Sequence, residues 1–538
     1  MGAEIIDIIG MIVIFIVQVI YIYSLLFFRV LKRAMAIQKT RRRTRLLINM
    51  RWGSILFLLF LITSSQSGKA IKADSFPIQT NLDSSETFNF DNSIFLPVIL
   101  KYAPLAMPIF GVETNRIYDP VILDKASTAD VYWMRGPKVS WEEIEPIRVS
   151  PPSYDWSSIN GQDIADTSAR GFKIIATIKF TPGWAQKYPG VSCGPIAESQ
   201  FNAFAEFLHE LVTIYGAEPY NVKYWEIGNE PDVDHRIPGI VPDSGFGCWG
   251  EESDAYYGGG YYAKMLKVAY PAIKNADPEA KVMLGGLLLD CDPTNPPAGK
   301  DCKSSKFLQG ILVGGGGNYF DIVSYHGYPF YQKYQVPGKQ PQYLYYDEHH
   351  PYWEARGGIV LGKANFLKEV MAPYGLSKPL MPTEASLTCK ETTPGCYPIG
   401  DSFLQAQADF VAWLFVRNWA SGFLGTTWYT LEGPGWRNVG LLNEDNSPRP
   451  AYHALNFITQ ELSNTIYKGQ VTLYPNLRGY EFGNDQKRIW VLWAPDEQPY
   501  SINLPAGVLK VLDKYGNLIT PQAGIITVKS PVYLEFNP

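Results

Sequence analysis

Trp225-Glu226-Ile227-Gly228-Asn229-Glu230-Pro231-Asp232 is the stretch that decides the fold reading. A short apolar run starting at Val222 leads into it, and Gly228 and Pro231 interrupt it. That pattern describes a buried strand that ends in an Asn-Glu pair. Working outward, the same kind of run recurs. Strands are predicted over 107–112, 130–134, 172–178, 222–227, 281–287, 320–325, 379–383 and 422–428. Amphipathic stretches lie between them, the clearest over 155–170, 198–215, 260–276, 352–374, 402–420 and 451–461. Eight strand–helix units predict the α/β class, as a closed parallel (β/α)8 TIM barrel. The span exceeds the roughly 250 residues such a barrel needs. The surplus belongs in loops, marked by the glycines at 314–317 and the Pro-rich stretch 295–297.

After Leu462 the texture changes. Short turn-punctuated runs over 470–474, 477–482, 488–494, 500–504, 507–513 and 524–536 show no helical period. They predict a small C-terminal all-β sandwich domain.

The chain has 538 residues, 46% hydrophobic and 18% charged, which excludes wholesale disorder. A net charge of −5 argues against a nucleic-acid binder. The charge is unevenly placed: residues 1–51 carry nine Lys/Arg against Glu4 and Asp7, so the remainder is acidic. Residues 8–28 form an uncharged apolar run long enough to cross a bilayer, and every one of the nine cations follows it. A second apolar block, 55–62, precedes Gly68-Lys69-Ala70 and resembles a signal peptide. Two readings stand. Either Met50 is the working start and 1–49 is an upstream extension, or 1–49 tethers the chain to the membrane through a helical hairpin. Both export the rest, to the cell surface or beyond. The expected divisions are 1–49, a signal-like 50–73, a linker 74–100, a catalytic barrel 101–463 and the β domain 464–538.

Six cysteines, Cys193, Cys248, Cys291, Cys302, Cys389 and Cys396, include no C-x-x-C pair. In an exported chain an even count favours disulfides over zinc. Fifteen connectivities are open. All six fall in segments following predicted strands, and neighbours in sequence close short loops at little chain cost. The expected pairs are Cys193–Cys248, Cys291–Cys302 and Cys389–Cys396.

Residues at the C-terminal strand ends of a barrel line its active-site face. Glu230 sits there, and a carboxylic acid in a low-dielectric mouth can protonate a leaving oxygen. The plainer alternative is an Asn-Glu cap at a strand–helix turn, with Pro231 in the first helical turn. Leu380-Met381-Pro382-Thr383-Glu384-Ala385-Ser386 ends a second apolar strand, with Glu384 154 residues after Glu230. That spacing fits three further units and sets the two carboxylates on opposite sides of one mouth. Paired carboxylates in that arrangement suit glycoside hydrolysis.

These stretches resemble the clan A retaining glycoside hydrolases, as do Trp141-Glu142-Glu143-Ile144-Glu145-Pro146, Thr181-Pro182-Gly183-Trp184-Ala185, Ser324-Tyr325-His326-Gly327-Tyr328 and Trp428-Tyr429. Within the clan the chain is most similar to the β-xylosidase and α-iduronidase family and to related cellulase-like families, over about residues 105–460. The resemblance implies Glu230 as acid/base and Glu384 as nucleophile. It implies Asn229 as the partner of the sugar 2-hydroxyl, His326 and Tyr328 as groups that orient the nucleophile or bind sugar, and Trp428 as the floor of the subsite. It implies a carbohydrate substrate and no cofactor.

Arg135, at the end of the second strand, is either the cation that keeps Glu384 ionised or a surface or loop arginine, and Trp184 either stacks on a sugar or fills its loop. Glu226 shares strand parity with Glu230, so it points into the barrel and needs a partner; Lys179 is the candidate. The cluster Asp347-Glu348-His349-His350 has metal-ligand residue types without helical ligand spacing, so no metal site is expected. The sequence therefore favours a retaining glycosidase that cleaves β-linked oligo- or polysaccharides. The rival is a non-catalytic carbohydrate-binding surface protein on a degenerate barrel, which has no need of both glutamates.

Overall fold

A computed structural model describes residues 108–237 and 245–538. The apolar run 8–28, the signal-like 50–73 and the linker 74–100 lie outside the described residues. Among the described residues no helix is long and apolar enough to cross a membrane.

Eight parallel strands carry the fold: β1 Phe110–Glu113, β2 Trp133–Ser140, β3 Lys173–Lys179, β4 Tyr224–Ile227, β5 Lys281–Leu284, β6 Val323–Gly327, β7 Leu380–Ala385 and β8 Thr426–Trp428. Each is followed by a helix: α1 Pro120–Thr128, α2 Gly161–Ala169, α3 Phe201–Tyr215, α4 Gly259–Ala276, α5 Phe307–Val313, α6 Ile359–Met371, α7 Asp401–Ala420 and α8 Pro450–Glu461. The sheet order is β5-β4-β3-β2-β1-β8-β7-β6. Parallel bridges Met283 to Ile322 and Leu287 to Tyr325 join β5 to β6 and close the barrel. The strands are near-continuous apolar runs because helices cover them outside and side chains fill them inside. Trp133 of β2, Ile175 of β3, Met283 of β5, Ile322 just before β6 and Met381 of β7 plug the interior, so the barrel is a packed core rather than a pore.

The strand and helix boundaries moved for local reasons. β2 starts later than predicted because Asp130, at φ 47°, belongs to the turn after α1. β8 loses its predicted first residues because Gly422, at φ 74°, closes α7. Helices α1 and α5 are short, nine and seven residues, and lie outside the stretches with a clear helical period. Among the described residues between β4 and α4 none is helical, Pro231 and its neighbours included, which removes the capping alternative for Asn229-Glu230.

The C-terminal part holds a five-stranded antiparallel sheet, β13-β15-β11-β10-β9, and a two-stranded ribbon, β12-β14. Their ranges are β9 Ile466–Gln470, β10 Arg478–Gly483, β11 Arg488–Trp493, β12 Tyr500–Asn503, β13 Val508–Asp513, β14 Ile525–Val528 and β15 Val532–Phe536. β9 lies earlier than predicted; it is an edge strand with alternating exposure and little apolar signal. The run 524–536 is two strands, because Pro531 offers no N–H to a ladder. Period-2 alternation gives the larger sheet two working faces. Leu492 and Leu534 join Ile502, Ile526 and Val528 of the ribbon in a small core. Val491, Trp493 and Tyr533 turn the other way and join the barrel's own core.

Candidate active site

The Asn229-Glu230 pair is set by a tight turn at the end of β4. Gly228 has φ 81° and Glu230 φ 50°. A left-handed glutamate is uncommon and costly, and such backbone concentrates at functional sites. The Glu230 N–H donates to the Gly286 carbonyl at 3.1 Å, which fixes the turn against the end of β5. Asp232 accepts from the N–H groups of Leu288 and Leu289 at 2.9 and 2.8 Å and ties the following loop to the same place. Burial pushes the Asp232 carboxyl up to about 6, although those amides oppose it.

Glu230 and Glu384 face each other across the mouth, 6% and 8% exposed. One carboxylate oxygen of each and a ring nitrogen of His326 all lie within 4.8 Å of one another. His326 Nδ1 is 2.7 Å from Glu230 Oε1 and 3.4 Å from Glu384 Oε2, so this buried imidazole bridges the two acids. Burial alone would lower the His326 pKa, but the Glu384 and Glu230 charges outweigh it and raise the pKa. The Tyr328 hydroxyl donates to Glu384 Oε2.

Arg135 is the hub beneath. Its guanidinium donates to Glu113, to Glu226 at 2.8 Å, to Glu384 at 2.5 Å and to the Asn229 side-chain oxygen at 2.5 Å. Burial pushes Glu384 up, but the charges of His326 and Arg135 and the Tyr328 hydroxyl outweigh it and hold the carboxyl at about 2. Glu113 fares differently. Burial raises it, Arg135 only partly offsets this, and the Glu384 charge adds to the rise, to about 7.

The structure thus brings together Glu230, Glu384, Asn229, His326, Tyr328 and Arg135. Two expected residues are elsewhere. Trp428 is fully buried, donates Nε1–H to the Val439 carbonyl at 2.9 Å and packs on Phe410, so it cannot floor a subsite. The residue that faces the mouth is its neighbour Tyr429, whose ring meets that of Tyr328 at 5.9 Å. A strand's alternation sends adjacent side chains to opposite faces, and the register at β8 favours the tyrosine. Trp184 packs edge-on against Trp141 and donates to the Glu145 carbonyl at 2.9 Å, which is a packing role in the β3 loop. The partner of Glu226 is also corrected. Arg135, Thr177 and Thr383 hold it, the two hydroxyls at 3.0 and 2.8 Å, while Lys179 donates to the Gly245 carbonyl at 2.8 Å. Glu113 joins the cluster without having been among the expected residues; it too is a carboxylate ending an apolar strand, the signal that singles out Glu230 and Glu384.

The residues Asp347 to His350 do not converge. Asp347 pairs with Arg417 at 2.7 Å, Glu348 with Arg478 at 3.2 Å and His349 with Glu354 at 2.6 Å. Burial lowers His350 to about 4.

Three disulfides, Cys193–Cys248, Cys291–Cys302 and Cys389–Cys396, have Cα atoms 5.4, 5.1 and 5.3 Å apart. All lie in loops after β3, β4, β5 and β7, on the face that carries the two glutamates.

No protein-family model matches the chain, and no curated protein matches it. Solved structures do. A family 39 glycoside hydrolase from Bacteroides cellulosilyticus WH2 is 18% identical, with TM-score 0.56 over 80% of this chain and 81% of that one. A glucosidase from Croceicoccus marinus is 15% identical, with TM-score 0.51 over 80% and 96%. A family 30 endoxylanase from Clostridium papyrosolvens C71 is 13% identical, with TM-score 0.50 over 80% and 97%. At such identities the likeness establishes the architecture: this chain has the barrel-plus-β-domain fold that these glycoside hydrolases use.

Proposed function

We propose that the chain is a retaining O-glycoside hydrolase acting on β-linked oligo- or polysaccharides. The observation that carries this reading is that one carboxylate oxygen of Glu230 and one of Glu384 come within 4.8 Å of each other, a close approach that leaves little space for a water between the two groups. Retaining enzymes hold their acids about 5–5.5 Å apart, whereas inverting enzymes leave roughly 6.5–9.5 Å for a water.

The surroundings of Glu384 suit it to the nucleophile's part, which leaves the acid/base part to Glu230. Glu384, held ionised by Arg135, Tyr328 and His326, attacks the anomeric carbon. The glycosidic C–O bond breaks as Glu230 gives its proton to the leaving oxygen. Glu230, now a carboxylate, takes a proton from water, and the water oxygen displaces Glu384 from the same carbon. The net change is hydrolysis with retained configuration. Asn229 spends its oxygen on Arg135 and one N–H on the Gly245 carbonyl, at 2.8 Å. An amide NH2 carries two donors, so one remains for a sugar hydroxyl beside the nucleophile. Export of the chain is part of the proposal, because three disulfides suit an oxidising compartment.

The test is a panel of aryl β-glycosides, with the anomer of the first-formed product read by NMR. A retained anomer and covalent labelling of Glu384 by a 2-deoxy-2-fluoro glycoside are expected. An inverted product would overturn the double displacement.

A further inference from the structure

The loop after β8 carries a second tryptophan. Trp436 is 48% exposed, although it is among the largest apolar side chains of the molecule. Its ring stands edge to face with Tyr328, centroids 5.4 Å apart at 75°, and Tyr328 holds the Glu384 carboxylate. Tyr429, Tyr328 and Trp436 therefore form one aromatic wall on the nucleophile's side of the mouth. The Arg437 guanidinium lies over the Trp436 ring at 4.3 Å and over the Phe330 ring at 4.9 Å. A guanidinium between two rings attracts both and keeps Trp436 from turning.

The backbone beneath is expensive and heavily supported. Gly435, Arg437 and Asn438 all have positive φ, at 66°, 52° and 62°. Such conformations persist in non-glycine residues only where the surroundings over-determine them. Here the Cys389 N–H donates to the Arg437 carbonyl at 2.8 Å. Gln407 and Arg449 donate to the Asn438 carbonyl at 3.2 and 3.1 Å. Trp428 Nε1–H takes the next carbonyl, that of Val439. Donors from β8, the loop after β7, α7 and the start of α8 thus converge on three consecutive carbonyls. Their combined effect is to hold a large ring half in solvent, capped on one face, beside the group that holds the nucleophile.

We propose that Trp436 is the aromatic platform of a sugar subsite next to the reacting bond, and that buried Trp428 acts only as a brace for the loop that presents it. A sugar ring offers an apolar C–H face rimmed by hydroxyls, and a flat, rigid indole matches that face without an ionic partner. This rests on the glycosidase reading and adds to it the residue that grips the substrate chain.

The test uses the Glu230→Gln protein, titrated calorimetrically with cellotriose, xylotriose, mannotriose and laminaritriose. A trisaccharide that binds it should bind the Glu230→Gln/Trp436→Ala protein roughly 10- to 100-fold more weakly, the scale of losing one large apolar contact. Trp436→Phe should fall between, with melting temperatures unchanged because the ring is half exposed. In the Glu230-intact enzyme, Trp436→Ala should raise KM more than it lowers kcat. Equal affinity of the Trp436-containing and Trp436→Ala proteins would overturn the platform and leave the glycosidase reading standing. Failure of every trisaccharide to bind the Glu230→Gln protein, with no hydrolysis by the wild type, would overturn both.

Discussion

One guanidinium serves three buried carboxylates. Arg135 touches Glu113, Glu226 and Glu384, and the cation must be shared. Glu384 also has His326 and Tyr328, and it is held at about 2; Glu113 lacks them and rises to about 7. The two shifts act oppositely on stability. Glu384 has a folded value below its ordinary one, so its contribution is present above about 4.5 and is lost as pH falls toward about 2. Glu113 has a folded value above its ordinary one, so stability falls as pH climbs from about 4.5 to about 7. Glu113→Gln should therefore raise the melting temperature at pH 8 relative to wild type and leave it nearly unchanged at pH 4. An equal difference at both pH values would refute this assignment. If the proposed pair acts as described, Glu384→Ala should lower turnover by roughly 10⁴-fold or more, the scale of removing a nucleophile, and azide should not restore a retained product. Glu230→Ala should slow substrates with poor leaving groups far more than activated aryl glycosides. A uniform loss across leaving groups would argue against its role as the acid.

The elements work as much by what they lack as by what they carry. Gly286, just beyond β5, leaves room for His326: a Cβ there would lie 2.0 Å from His326 Nε2. Gly286→Ala should push the imidazole off both glutamates and lower kcat at least about 10-fold, while overpacking costs about 1–3 kcal/mol of stability. Wild-type kcat in a folded Gly286→Ala protein would show that the imidazole position does not matter. Neighbouring loops depend on the disulfides, each contributing roughly 2–4 kcal/mol. Cys389–Cys396 stands apart, because Cys389 starts only five residues after Glu384 and its N–H supports Arg437. The Cys389→Ser/Cys396→Ser pair should lose activity at temperatures where circular dichroism still reports a folded chain; activity and fold lost together would place the bridge outside the site.

Across the whole molecule the β domain is built into the barrel's packing. Trp493 stacks on Trp413 at 5.8 Å, Phe482 meets Trp419 at 5.1 Å and Tyr533 meets Phe457 at 4.9 Å. Lys514 pairs with Asp409 of α7 at 2.6 Å. On the other side, the backbone N–H of Leu344 and of Tyr345, in the loop after β6, donates to Glu497. Truncation after Leu462 would uncover the α7 and α8 aromatics, a contiguous apolar face of the kind that drives aggregation. The shortened chain should be insoluble or scatter light strongly on expression; a soluble, active barrel would show the domain to be dispensable.

The sequence by itself determined the class of the fold and which strand ends carry the two converging carboxylates. Apolar runs repeating with helical stretches between them are a local signal, and they implied eight units. A carboxylate closing such a run is also local, which is why Glu230 and Glu384 are legible in the sequence. Tertiary structure decided what depends on direction. Whether a side chain beside a strand end faces the mouth or the core rests on twist and register, so Trp428 is buried and Tyr429 faces Tyr328. Which cation meets Glu226 depends on how strands two and four lean together inside the barrel, and Arg135 won over Lys179. The charge sharing that separates Glu113 from Glu384 arises only when residues 271 positions apart converge on one guanidinium, because the field at a buried group belongs to everything packed around it.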